Sequence, residues 1–155
     1  MDDLFDALLT EDLTLLTELL EAGCDINAQD EEGRTALIQA TIYNNVEVVQ
    51  ILIHNGANVN TRDFFGGNAA LHFAAQNYSL DILQILLKNK AEVDLQDIHG
   101  NTALYKAVFS SSGKGGAIQQ LLLHGADRNL KNNQGVSSLE LASTIANVDI
   151  MQFFK

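Results

Sequence analysis

The chain has 155 residues, 46% of them hydrophobic, with 20 acidic and 9 basic side chains, a formal net charge of −11 at pH 7 and one cysteine. This is the length of one domain, with enough apolar residues for a core along all of it. The apolar runs are too short to span a bilayer, the N-terminus is acidic where a secretory signal is basic, and one cysteine cannot form an internal disulfide, so we expect a cytoplasmic monomer that does not bind membranes.

The acidic side chains are concentrated at one end of the chain. Residues 1–32 contain eleven Asp and Glu and no Lys or Arg, whereas residues 33–155 contain nine acids and nine bases. Such a field repels nucleic acid and attracts basic partners. The scattered bases also lack the clustering that phosphate contacts need, so we expect no nucleic acid partner. An alternative origin of the charge is the polar outer face that terminal repeats need for solubility.

The chain begins with two predicted helices. Residues 2–9 form a helix with an apolar face made of Leu4, Phe5, Leu8 and Leu9. A second helix is predicted over residues 11–22, with Thr10 as its N-cap. A glycine at position 23 then allows the left-handed conformation that ends many helices.

The remainder repeats itself in two markers that run in phase. The first marker is a glycine followed by a short segment ending in leucine, and the leucines are Leu37, Leu71, Leu104 and Leu139. The second marker comprises the segments Gly23-Cys24-Asp25, Gly56-Ala57-Asn58, Lys90-Ala91-Glu92 and Gly125-Ala126-Asp127. A period close to 33 residues indicates an array of repeats.

The pattern D-x-x-G-x-T-x-L followed by G-A-D/N-V-N closely resembles the ankyrin repeat over the whole chain. The proline usual in the T-P-L-H tetrapeptide is absent, and only His72 keeps the histidine. The resemblance implies an all-α solenoid of about five helix-turn-helix units, two of them capping, with short β-hairpin-like finger loops. The predicted units are 1–29, without a leading finger, then 30–62, 63–96, 97–131, and 132–155, which ends within its second helix.

Three departures from the pattern carry structural expectations. The third unit has one more residue near Gly67, which predicts a bulged or longer finger tip, and Lys90 replaces its closing glycine, which should strain or reshape that helix end. The fourth unit has two more residues between its helices, in the segment 110–116. This segment lacks the G-x-x-x-x-G-K-[ST] spacing and the preceding strand of a phosphate-binding loop, so we expect a flexible connection. At the end of the chain, Phe154 is expected to cover the core, and Phe153 either to stay exposed or to pack at the end.

No constellation of residues indicates catalysis, a cofactor or a metal. His54, His72, His99 and His124 are spread along the chain without metal-ligand spacing, and Cys24 has no evident histidine partner. We therefore predict a non-enzymatic protein with no catalytic, cofactor-binding or metal-binding residues. The alternative is a small enzyme or ligand carrier that uses the 110–116 loop with His99 or Lys106.

The resemblance also implies where a partner binds. Partners of similar proteins usually bind the concave side, made of the finger tips and the exposed flank of each inner helix; we call this surface the finger face. The positions carried over are Glu31, Glu32, Arg34, Ile42, Tyr43, Phe64, Phe65, Asn68, Gln76, Asn77, Ile98, His99, Asn101 and Phe109. Large apolar side chains grouped on a surface mark interaction sites, and here they adjoin acidic residues. The alternative is that Phe64 and Phe65 fold back onto neighbouring fingers.

These observations predict a protein-binding module whose partner is basic and carries apolar anchors. One specific form is a stand-alone inhibitor or immunity-type protein that blocks the active surface of such a partner. An adaptor, or one fragment of a longer ankyrin array, is equally compatible with the residues.

Overall fold

A computed structural model of the chain describes residues 2–145 and 150–155. Within them the helices are Asp2–Leu9 (α1), Leu13–Glu21 (α2), Ala36–Ile42 (α3), Val46–His54 (α4), Ala70–Gln76 (α5), Leu80–Lys88 (α6), Ala103–Phe109 (α7), Gly116–Leu123 (α8) and Ser138–Thr144 (α9). The only β-type pairing in this part of the chain is an isolated bridge between Lys131 and Ser137. None of the described helices is long and apolar enough to cross a membrane. The predicted all-α solenoid is confirmed.

The helices form two stacked layers. The inner helices α1, α3, α5, α7 and α9 pack on one another in order, and the outer helices α4, α6 and α8 do the same. Alanines such as Ala36, Ala70 and Ala103 begin the inner helices and are fully buried. The repeated Leu37, Leu71 and Leu104 are buried beneath them. Small residues between the layers let neighbouring units approach closely, and the core is therefore continuous along the stack.

The inner helices begin at the same repeat position by different means. The side chains of Thr35, Thr102 and Ser137 each accept a hydrogen bond from the backbone N–H three residues ahead. Ala69 has no acceptor of this kind, and its N–H donates to Nδ1 of His72 at 3.1 Å instead. Each arrangement gives one helix-end N–H a partner that the helix itself cannot supply.

The start of α2 differs from the sequence prediction, because Thr10 is not its N-cap. The Thr10 hydroxyl donates to the Asp6 carbonyl at 2.8 Å and so belongs to the end of α1. Glu11 then takes a left-handed conformation with φ of 55°, and Asp12 caps α2 by accepting from the Leu15 N–H at 3.0 Å. Asp and Thr are both good N-caps, and here the turn geometry selects the later residue.

The outer helices end in a left-handed residue, as predicted. Gly23, Gly56 and Gly125 have φ of 80°, 89° and 87°. Lys90 stands at the corresponding place in the third unit with φ of 66°, the region that disfavours a residue with a Cβ. The predicted strain at this helix end is therefore present.

The longer connection of the fourth unit lies between α7 and α8 and is held by two aromatic residues. The Tyr78 hydroxyl donates to the carbonyls of Lys114 and, at 3.3 Å, of Ala107, and burial raises the pKa of Tyr78 to about 12. The ring of Phe153 lies where a Cβ on Gly115 would be. Phe153 is therefore half-buried at the end of the stack, and Phe154 is buried as expected.

The last unit is described only in part. The expected second helix falls partly on residues 146–149, outside the described residues. The part that follows, Ile150–Phe154, is a 3-10 helix that packs against α9 and α8.

Candidate functional site

The fingers are joined to one another by a regular hydrogen-bond register. The Phe64 N–H donates to the Glu32 carbonyl, the Ile98 N–H to the Gly66 carbonyl, and the Asn133 N–H to that of His99. All three N···O distances are 2.9 Å. Each finger is thus positioned by the finger before it, which fixes the spacing of the side chains at the tips.

Each finger tip is also closed internally by one acidic or amide side chain. Asp30, Asp97 and Asn132 each accept hydrogen bonds through one oxygen from the N–H groups two and four residues ahead. Asp63 does the same, but from the residues three and five ahead, Gly66 and Asn68. The finger of the third unit therefore has the additional residue that the sequence predicts, and it keeps the same closing bonds.

Most of the predicted finger-face residues are solvent-exposed. Among the large apolar ones, the exposed fraction is 64% for Phe64, 72% for Phe65, 52% for Ile98, 72% for Phe109 and 54% for Tyr43. The exposed polar ones are Glu31, Glu32, Gln76, Asn77 and His99. Aromatic side chains left in water are costly unless a partner covers them, which makes this surface the candidate interface.

Phe64 combines exposure with support from its neighbour. Its ring lies against Gly33 of the preceding finger, where an added Cβ would come within 2.4 Å of the ring. Ile98 lies similarly close to Gly67. The predicted alternative, that the finger phenylalanines fold back, thus applies to one edge of Phe64, while most of its ring and most of Phe65 face solvent.

Four predicted positions differ from the rest because they are half-buried: Arg34, Ile42, Asn68 and Asn101. Ile42 was expected to be exposed but packs against the core. Asn68 lies within the closing bonds of its own finger, and Asn101 Oδ1 accepts from Asn132 Nδ2 at 2.8 Å. These side chains support the fingers and offer less surface to a partner than the exposed aromatics do.

The charged residues of the first finger, Glu31, Glu32 and Arg34, differ in whether they form an ion pair. Arg34 is half-buried and forms an ion pair with Glu32, which neutralises that carboxylate. Glu31 has no ion-pair partner among the described residues. An exposed ion pair of this kind adds little stability. Because Arg34 pairs with Glu32 and not with Glu31, the Glu31 carboxylate keeps its negative charge unpaired within the described part of the chain.

Two grooves open among the predicted residues. The larger, about 530 Å³, brings Glu31 and Tyr43 together at the acidic end, and its lining is Phe5, Asp6, Leu8, Leu9, Asp30, Glu31, Gln39 and Tyr43. The other, about 360 Å³, brings together Gln76, Asn101 and Phe109, with Tyr105, Lys106 and Ser110. Both have the size of ligand pockets but are open to solvent.

A buried polar cluster lies behind the second groove. His72 Nδ1 accepts from Ala69, so its proton is on Nε2, which donates to the Asn101 carbonyl at 3.3 Å. Burial lowers the pKa of His72 and keeps the ring neutral, against an opposing effect of Asp97. Burial alone would raise the pKa of Asp97, but hydrogen bonds from Asn101, Lys106 and His99 outweigh it and lower that pKa.

This cluster accounts for the residues considered for chemistry. Lys106 Nζ lies 3.0 Å from Asp97 Oδ2, so it is engaged as a structural ion pair. No group of three or more His, Cys, Asp and Glu that could hold a metal ion occurs in the described ranges. The arrangement fixes one finger to one inner helix and aligns no nucleophile with a base.

Sequence reasoning missed part of the first groove. Leu9 was assigned to the apolar face of the first helix, but it is 64% exposed at the groove, and Phe5 and Asp6 line the same space. The signal was available, since a first unit without a finger leaves one side of its helix uncovered.

Comparison with known proteins identifies the repeats. The family described as ankyrin repeats (3 copies) matches residues 4–97 and 71–154. A fowlpox virus protein that carries the name ankyrin repeat protein FPV031 is 33% identical over 86% of this chain, and human B-cell lymphoma 3 protein is 34% identical over 90%. E3 ubiquitin-protein ligase XBAT33 of Arabidopsis thaliana is 49% identical over 38% of the chain. The chain spans 40%, 31% and 12% of these three relatives.

Proposed function

Since the chain belongs to the ankyrin repeat family, whose repeats are protein–protein interaction modules, we propose that it binds a basic partner protein through its finger face. The observation that carries this proposal is the exposure of Phe64, Phe65, Ile98 and Phe109 on the fingers and one inner helix. Aromatic side chains dominate the binding energy of many interfaces. The fingers that present them are joined in register, so little conformational entropy is lost on binding.

The sign of the partner's charge follows from the distribution of acids. The first 32 residues contain eleven carboxylates and no Lys or Arg, and their unit lies at one end of the finger face. A field of one sign steers an oppositely charged partner and raises the association rate at low salt. We therefore propose a basic partner with apolar anchors that insert between the exposed phenylalanines.

An inhibitor or immunity-type role is the specific form of this proposal. Binding that covers the active surface of a basic enzyme or toxin is an activity that a repeat module can perform by itself. An adaptor would use the same surface to hold a partner without blocking it. Measuring the partner's activity when it is bound separates these roles.

The test is affinity capture from the source lysate with the wild type, a Phe64→Ser/Phe65→Ser variant and a Leu123→Ser control. Leu123 is 84% exposed on the outer helix α8, so the control also removes an exposed apolar side chain, but away from the fingers. We expect the wild type and the control to capture one basic protein, less of it as salt rises, and the finger variant to lose it. Equal capture by all three would contradict the proposed site.

A further inference from the structure

The first finger differs from the other three in its hydrogen-bond register. The second residue of each later finger donates its N–H to the preceding finger, at 2.9 Å in every case. Glu31 occupies this position in the first finger. Its N–H has no partner within the part of the chain that the structure describes. The register therefore leaves one strand-like donor open at this end of the stack.

The groove of about 530 Å³ lies at this same place, between α1 and the first finger. Its apolar part includes Leu9 and Tyr43, which are 64% and 54% exposed, together with Phe5. This is more large apolar surface than a solvated helix end requires.

The charge of the groove is of one sign. Asp6, Asp30 and Glu31 line it, and no Lys or Arg does. The oxygens of Asp30 are already occupied, since Oδ1 closes the finger and Oδ2 accepts from Gln39 Nε2 at 3.1 Å. Asp6 and Glu31 have no ion-pair partner among the described residues and are the two carboxylates available to a ligand.

We propose that this groove binds an extended segment of a partner protein in which apolar residues lie two positions before and two positions after an arginine. A carbonyl of the segment accepts from the Glu31 N–H and continues the register of the fingers. Side chains two positions apart in an extended chain lie on one side, so the arginine and an apolar neighbour enter together. The guanidinium pairs with Asp6 or Glu31 and stacks on Tyr43 or Phe5, which a lysine ammonium does less well.

This inference rests on the proposed function in requiring a basic partner, and it concerns a distinct part of the finger face, because Glu31 and Tyr43 line the groove and the finger phenylalanines do not. Binding at each can therefore be followed separately. The backbone amides of Leu9, Glu31 and Tyr43 report on the groove, and those of Phe64 and Phe65 report on the fingers.

The probe is a blocked heptapeptide with leucine, arginine and leucine at positions two, four and six and serine elsewhere, titrated into the ¹⁵N-labelled chain. A second peptide replaces the arginine with uncharged citrulline. We expect the arginine peptide to shift the Leu9, Glu31 and Tyr43 amide signals, and the citrulline peptide to bind about three- to tenfold more weakly, as expected for loss of exposed charge pairs.

The matched variants are Asp6→Asn/Glu31→Gln and Glu18→Gln/Glu47→Gln, which remove the same net charge from the groove and from exposed positions on outer helices. The groove variant should weaken the arginine peptide about three- to tenfold, and the control variant should not. Equal weakening by both variants, or equal binding of the two peptides, overturns the inference. Shifts confined to Phe64 and Phe65 also overturn it while leaving the proposed function standing, and groove shifts that appear on concentrating the chain without peptide assign the groove to a second copy instead.

Discussion

The second and third units have the same arrangement of two helices but are stabilised differently. In the second unit, Thr35 caps the inner helix and Gly56 ends the outer one, so the helix ends are satisfied locally. In the third, Ala69 provides no cap and Lys90 is held at positive φ. His72 replaces the cap and also bonds the next unit through Asn101. The start of α5 in the third unit is thus stabilised through a contact with the next unit, whereas the start of α3 in the second unit is stabilised by its own Thr35.

The largest effect on stability should come from replacing His72 with the residue that the second unit has at the same repeat position. Ile38 occupies in the second unit the place of His72, so His72→Ile leaves the buried Ala69 N–H without its partner, while the Asn101 carbonyl keeps only the Asp97 N–H, at 2.9 Å. We expect a loss of about 2 kcal/mol in the free energy of unfolding, measured by urea denaturation. Adding Ala69→Thr, the residue found at position 35, should recover about 1 kcal/mol. No recovery would show that the cap and the histidine do not substitute for each other.

The next largest effect should be a pH dependence of the free energy of unfolding that arises from the third unit and not from the second. Because burial lowers the pKa of His72, the unfolded chain binds this proton more readily than the folded one. The free energy of unfolding should therefore fall as the pH drops below about 6.5, by at most about 1.4 kcal/mol per pH unit for this one group. The charged groups that face His72 are Asp97, which raises the pKa of His72, and Lys106, which lowers it.

Urea denaturation between pH 7.5 and 5 measures this slope, and His72→Ile is the comparison. His54, His99 and His124 are exposed and remain in that variant. An unchanged slope in His72→Ile would assign the pH dependence to other groups.

The smallest effect on stability should come from Lys90, at the end of the outer helix of the third unit. Lys90→Gly removes a Cβ from a residue at φ of 66°, and we expect a gain of about 0.5–1 kcal/mol in the free energy of unfolding. The reverse change, Gly56→Ala, should lose a similar amount, since an added Cβ there meets nothing within 4 Å and only the backbone is strained. Thermal unfolding of both variants tests whether the two ends are equivalent.

The sequence predicted the features that recur with the period and missed those that occur once. The helix pairs, the longer finger of the third unit and the left-handed Lys90 all follow from aligning one unit with another. The Asp12 cap and the exposure of Leu9 belong to the first unit, which has no finger and no preceding unit to align with. The support that Phe153 finds at Gly115 likewise depends on a connection that no other unit has.

The candidate site was predictable in position and less so in detail. Repeat position alone placed Phe64, Phe65, Ile98 and Phe109 at exposed sites. It could not show that Ile42 packs against the core, because the flank of an inner helix is part core and part surface. The groove beside Glu31 is lined by side chains of α1, which carries neither of the two repeat markers, so comparison of the markers could not predict it.

The closing hydrogen bonds in the finger of the third unit bear on how the length and sequence of a finger tip can change. Asp63 closes a loop one residue longer than the loops closed by Asp30 and Asp97, and the finger still donates to its predecessor at 2.9 Å. An insertion at the tip is therefore absorbed between two fixed points, and α5 stays packed between α3 and α7. Tip length and tip sequence can diverge while the stack beneath them is conserved, so a new binding preference needs no new fold.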